Sequence, residues 1–315
     1  YASTLLAGSI AFLTASNLFP ILLNITQLGV VKIESGLETY FTIPLKPLFD
    51  VTSAVIFAFI LGVGITMLRP KGQGAELFAI VKDAEEVIQS ILQKIIIPIL
   101  PIHILGTFAN LSYAGSIQNI LVIFGKVFVV VIILHLLYIT ALFVISGIIG
   151  GKSPLMLIKN QIPAYFTAVG TQSSAATIPV SLMSAEKNGI SEQIRNFVIP
   201  LCATIHLAGS MITITSCSTA VILILGQNPT YVSILPFILM LGIAMVAAPG
   251  APGGAIMSAL PFLYMVGITG DELQGLMIAL YLTQDSFGTA ANVSGDNAIA
   301  VFVDWLYKTK IKKEA

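Results

Sequence analysis

Long apolar runs separated by short polar ones dominate this chain, and their length and spacing predict helices. Helices are expected near Ala2–Leu23, Phe49–Leu68, Ile91–Leu111, Ile120–Ile149, Glu192–Leu225 and Asp271–Lys308. Such runs match the roughly 20 residues that a helix needs to cross a bilayer. Glu76–Gln93 differs: it is amphipathic and charged, as expected of an interfacial lead-in to the third span.

Two further apolar segments, 155–187 and 231–266, do not read as simple spans. Small and polar residues interrupt each at its middle, VGTQSSAAT at 169–177 and AAPGAPGGA at 247–255. Pro249 and Pro252 would break a helix there, and Gly250, Gly253 and Gly254 supply a tight turn. Non-helical backbone at membrane depth is tolerated only against protein or a water-filled cavity. The expected elements are two re-entrant hairpins whose tips meet near the midplane. One precedes the helix bearing ATIHLAGS, Ala203–Ser210, and the other precedes the last apolar stretch. Two hairpin-plus-helix units are the pattern of an inverted-repeat, all-α transporter.

The last stretch, Met277–Leu306, carries Asp285 and Asp296 in otherwise apolar surroundings. Each carboxylate costs roughly 2.5–3.5 kcal/mol at a bilayer centre even on lenient scales, a penalty that a cavity, ion or substrate must offset. Tyr281, Asp285, Thr289, Asn292 and Asp296 are spaced 4, 4, 3 and 4 residues apart, which on one helix gives a single polar stripe. This is the signature of a transport or ion pathway.

Composition supports the membrane reading. Of the 315 residues, 56% are hydrophobic and 10% charged, with a mean hydropathy of +0.95, against about 25% charged in soluble domains. The net charge is zero, with no basic run that would bind nucleic acid. Cys202 and Cys217 imply neither a disulfide framework nor a metal-ligand spacing. If the first helix runs outward, every basic residue except Lys32, Lys46 and Lys126 falls on the cytoplasmic side, as the positive-inside rule requires. The first hairpin then opens to the cytoplasm and the second to the exterior. A multi-pass protein of the cell membrane is expected, and the start at Tyr1 without a methionine is that of a piece of a longer chain.

TQSSAATIP (Thr171–Pro179), ATIHLAGS, GAPGGAIM (Gly250–Met257) and DSFGTAANVSGD (Asp285–Asp296) resemble, in order, the signature segments of the dicarboxylate/amino acid:cation symporter, or glutamate-transporter, family. The resemblance implies a homotrimer of rigid scaffold and mobile transport domains, with two scaffold helices ahead of Tyr1. Residues 1–23 and 118–315 would form the transport domain and 24–117 the remaining scaffold. It also implies site roles. Asp285 would hold a substrate ammonium, and Thr289, Asn292, Ser173 and Ser174 the substrate and its α-carboxylate. Gly288, Gly250, Ala251 and Gly253 would flank them. Asp296 would stand at a sodium site with carbonyls of His206 and Asn292. A second sodium would use backbone oxygens of Thr204 and Leu207 and of Met245, Val246 and Ala248.

Several positions depart from that pattern. Acidic-substrate members carry an Arg where this chain has Gly288, so a small neutral amino acid suits the site better, and the serine/threonine branch is the nearest likeness. Where the family writes Asn-Met-Asp-Gly this chain reads His206-Leu207-Ala208-Gly209, and Ala208 has no side-chain oxygen for a cation. An interior hydrogen-bonded histidine is the ordinary reading of His206, with a proton carrier as the alternative. His103 and His135 read as structural.

Three functions follow: sodium-coupled symport of a small neutral amino acid, proton-coupled transport of another small organic solute, and intramembrane aspartyl proteolysis. The last needs two carboxylates sharing a proton, whereas Asp285 and Asp296 stand about 16 Å apart along one helix.

Overall fold

The computed structural model describes residues 1–23, 51–91, 94–95, 97–113 and 117–311. The expected helix start at Phe49 and the basic residues Lys32, Lys46, Lys312 and Lys313 lie outside them. The chain divides into two compact units, Tyr1–Glu34 with Gly115–Ala315, and Ser35–Ala114. All regular elements among the described residues are helical.

The Ser35–Ala114 unit contains α2 (Val51–Leu68), α3 (Ala75–Ile91) and α4 (Ile97–Tyr113). A turn of 3-10 helix, Arg69–Lys71, follows α2 and ends on left-handed Gly72. The Arg69 guanidinium sits 4.5 Å above the Phe78 ring, a cation–π contact that ties the turn to α3.

The other unit begins with α1 (Ala2–Leu22) and continues through α5 (Ile117–Gly150), α6 (Pro154–Thr171) and α7 (Ser174–Lys187). Then come α8 (Glu192–Ile205), α9 (Ala208–Ile224), α10 (Tyr231–Ala247) and the short α11 (Gly254–Ala259). A 3-10 segment, Leu260–Val266, leads to α12 (Asp271–Leu282) and α13 (Asp285–Leu306). Three stretches of the described residues are long and apolar enough to cross a membrane: Ala2–Leu22, Leu121–Gly150 and Glu192–Ile224. Lys126 lies within the second, and its ammonium donates to the Leu22 carbonyl at 2.7 Å, satisfying one of the acceptors that end α1.

The interrupted segments are pairs of helices. Gln172 takes a left-handed conformation (φ 51°) and ends α6, and Ser173 then caps α7 by accepting from the Ala176 amide at 3.2 Å. At the far end Asn160 donates to the Lys187 carbonyl and to Asn188 Oδ1. Lys152 donates to the Asn188 and Gly189 carbonyls, so α6 and α7 run back along each other. Burial lowers the pKa of this Lys152 ammonium, while Asp304 acts the other way. In the second segment the turn 248–253 separates α10 from α11 and ends on left-handed Gly253 (φ 73°). A Cβ at Gly254 would stand 2.2 Å from the Pro249 carbonyl oxygen, so the turn closes only on glycine.

Two single helices expected from the apolar pattern are broken instead. Glu192–Leu225 divides at His206–Leu207 into α8 and α9, and Asp271–Lys308 divides at Thr283–Gln284 into α12 and α13. Neither break contains proline or glycine; at the first, Asn292 caps α9 from a distant helix. Phe143, Leu157, Ile190, Ile199 and Val301 pack in one apolar core around α13, and Asp285, Asn292 and Asp296 are all buried. The polar stripe therefore faces protein rather than lipid, which is how such side chains are accommodated.

Candidate functional site

Four chain breaks converge on the first half of α13, and its side chains terminate two of the broken helices. A helix leaves its first amides without intrahelical acceptors. At the start of α9 the amides of Gly209 and Ser210 both donate to Asn292 Oδ1, at 2.7 and 3.2 Å. At the start of α11 the Gly253 amide donates to Asp285 Oδ2 at 2.7 Å. The other Asp285 oxygen accepts from Tyr281 at 2.8 Å and Thr289 at 3.3 Å. Ser210 Oγ joins the two groups, lying 3.0 Å from the Tyr281 hydroxyl and accepting from Asn292 Nδ2 at 3.0 Å.

The tips of the two helix pairs touch. Ser173 donates to the Gly250 carbonyl at 2.6 Å, and Gln172 donates to Ser286 at 2.8 Å. Between tips and stripe lies a small cleft with about 10 Å³ of free space, enough for roughly one water molecule. Gln172, Ser174, Leu207, Ser210, Pro249, Gly250, Ala251, Ala255, Tyr281, Asp285, Thr289 and Asn292 line it. A molecule of amino-acid size exceeds that space.

Most residues expected at a substrate site thus come together: Ser173, Ser174, Gly250, Ala251, Gly253, Asp285, Thr289 and Asn292. Gly288 is placed otherwise. It turns toward α9, where a Cβ would meet Thr213 Oγ1 at 3.4 Å and the backbone of Gly209 at 3.7 Å. A Cβ at Gly209 would come within 2.2 Å of the Gly288 carbonyl oxygen, so α9 and α13 approach almost backbone to backbone. Ser210 and Tyr281 are the participants to which the sequence reading assigned no role, although Ser210 closes the ATIHLAGS motif and Tyr281 heads the stripe.

The expected cation ligands fall in two places. Thr204 lies in the last turn of α8, Met245 and Val246 in the last turn of α10, and Ala248 and Leu207 directly after those ends. Helix C-termini present carbonyls without intrahelical donors and carry the negative end of the dipole, which is the donor chemistry that a hard cation takes. The Thr204 hydroxyl donates to the Leu201 carbonyl at 2.8 Å. At the second place, the Asp296 carboxylate Oδ1 lies 2.9 Å from His206 Nδ1, both side chains 2% exposed. His135 bridges α5 and α9 through the Gly209 carbonyl and the Thr213 hydroxyl.

A family model for the sodium:dicarboxylate symporter family matches residues 1–306. The chain belongs to that family. Among its curated relatives is the serine/threonine transporter SstT of Acinetobacter baylyi, 28% identical over 264 residues, covering 80% of this chain and 63% of the relative. The serine/threonine transporter SstT of Acinetobacter baumannii is 27% identical over 274 residues, 83% of this chain and 65% of the relative. The chain therefore spans somewhat less than two thirds of the length of these relatives. The family and these relatives are transporters, not enzymes.

Proposed function

We propose that this protein carries a small neutral amino acid across the cell membrane in symport with sodium, by alternating access. The observation that carries the reading is the buried Asp285 carboxylate beneath the touching tips, held by the Gly253 amide and the Tyr281 and Thr289 hydroxyls. A zwitterion leaving water needs an anion for its ammonium and several donors for its carboxylate. Asp285 supplies the first. The amides heading α7, the Ser173 and Ser174 hydroxyls and Asn292 supply the second.

The lining residues include no Lys, Arg or His, so a second substrate carboxylate would be buried without a cationic partner. Tyr281, Ser210 and Thr289 instead offer hydroxyls to a small polar side chain, in keeping with the serine/threonine transporters that the chain resembles. Sodium would sit at the carbonyl ends of α8 and α10, where it adds the positive charge that lets the second tip close over the substrate. The unit containing Asp285 acts as the mobile domain, with its two helix pairs as re-entrant gates, and Ser35–Ala114 as part of the scaffold of a trimer. Asp285 and Asp296 have separate partners, which leaves no proton-sharing dyad for proteolysis.

Uptake by the full-length protein in proteoliposomes tests the reading. Serine, threonine and alanine should accumulate under an inward sodium gradient, and aspartate and glutamate should not. Equal uptake with or without that gradient would overturn the symport.

A further inference from the structure

We propose that the His206 side chain takes the place of a coupling cation at Asp296, so that this buried carboxylate is not a sodium ligand in this chain. The inference rests on the symport reading and concerns how many sodium ions accompany each substrate molecule.

The geometry is that of a built pair. Asp296 is 1% and His206 2% exposed, with Nδ1 and Oδ1 2.9 Å apart. The ring has a dedicated seat: a Cβ at Gly295 would lie 2.5 Å from His206 Cε1 and 3.3 Å from Nδ1, so only glycine at that position admits it. On its other edge Nε2 lies 3.1 Å from Ser3 Oγ. Ser3 Oγ is in turn 2.7 Å from the Tyr138 hydroxyl, which donates to the Ser3 carbonyl at 2.7 Å. The carboxylate is thus linked through one imidazole to α1 and α5.

Counting protons along that chain gives the pair its charge. Tyr138 has one hydroxyl hydrogen, and the Ser3 carbonyl receives it. Ser3 must then donate to Tyr138, which leaves Ser3 Oγ to accept from Nε2. All four contacts are filled together only when Nε2 keeps its hydrogen and one further proton lies between Nδ1 and Asp296. That proton neutralises the carboxylate as a sodium ion would, and a cation could enter only by displacing it and the ring. Ala208, where the resemblance implies a second carboxylate, is 1% exposed and has no side-chain oxygen to offer a hard cation.

The sodium-to-substrate ratio, read from reversal potentials in proteoliposomes, tests this. Replacing both partners, Asp296→Asn with His206→Asn, should leave the wild-type ratio unchanged. His206→Asn alone frees the carboxylate and should raise the ratio by one. A fall by one in the double variant, or an unchanged ratio in His206→Asn, overturns the inference. Should either variant fail to transport, the sodium dependence of its thermal stability in detergent reports the same ion count: steeper than wild type for His206→Asn, equal for the double variant, and any other result counts against the proposal. Uptake by the wild-type protein that ignores sodium altogether would instead reject the symport reading itself.

Discussion

The backbone amide of Gly253 lies 2.7 Å from Oδ2 of Asp285, so the tip of the second helix pair closes directly on the carboxylate at the centre of the stripe. One carboxylate thereby serves as a helix-terminating acceptor and, in the proposed cycle, as the partner of an ammonium.

Asp285→Asn tests that double role. Removing one member of a buried charged pair costs 2–5 kcal/mol, so sodium-driven serine uptake should fall by about 100-fold. The amide retains an acceptor for Gly253, so the melting temperature should change far less than transport does. Initial uptake rates and a thermal melt of the same preparation separate the two effects.

Tip separation can be blocked covalently. A Cβ at Gly250 would stand 3.4 Å from the Cβ of Ala175, close to the 3.5–4.5 Å that a disulfide spans. The native Cys202 and Cys217 are free and buried, so they should not compete. In Ala175→Cys with Gly250→Cys, mild oxidation should stop uptake and a reductant restore it, whereas neither single-cysteine variant should respond to oxidant.

The close crossing of α9 and α13 predicts unequal tolerance at two glycines. At Gly209 an added Cβ would stand 2.2 Å from the Gly288 oxygen and 2.6 Å from Ala291 Cβ. Gly209→Ala should therefore cost about 1–3 kcal/mol of stability, as overpacking does. At Gly288 the nearest atom would be Thr213 Oγ1 at 3.4 Å, an ordinary contact, and Gly288→Ala should leave the melting temperature close to wild type. Thermal melts in detergent measure both.

Asp304 holds the start of α8. It is 2% exposed, accepting from the Ser191 amide at 3.0 Å and from Lys308 at 2.7 Å. Asp304→Ala orphans that amide and should destabilise the protein by about 1–3 kcal/mol. Lys308→Ala should matter less, because its side chain is 48% exposed and the Asp304 carboxylate keeps the Ser191 amide. The same melts rank the two.

Local chemistry made the two helix pairs legible in the sequence. Prolines and glycines at 249–254 and the TQSS turn at 171–174 punctuate the apolar runs, and the breaks fall there. The spacing of Asp285, Thr289 and Asn292 on one helix was legible for the same reason. The breaks at His206–Leu207 and Thr283–Gln284 were not. Asn292 takes the first amides of α9 from 83 residues away, and no local pattern announces a cap supplied at that distance. The His206–Asp296 contact spans 90 residues, so the sequence pointed to a hydrogen-bonded interior ring without naming its partner. Gly288 was expected beside the substrate because the resemblance places there the Arg of acidic-substrate members. Its helical phase, one turn from Asp285 but displaced about 60° around the axis at 100° per residue, carries it toward α9.

The Lys126–Leu22 hydrogen bond bears on how the molecule meets lipid. An ammonium that anchors the end of one helix is expected to reach toward the level at which hydrocarbon gives way to headgroups. From there to Gly150, α5 runs for about 36 Å at 1.5 Å per residue, against roughly 30 Å of hydrocarbon. Leaning the helix roughly 30° from the bilayer normal, or a locally thicker membrane, would relieve that mismatch. Bilayers built from shorter or longer acyl chains should therefore shift the orientation of this span.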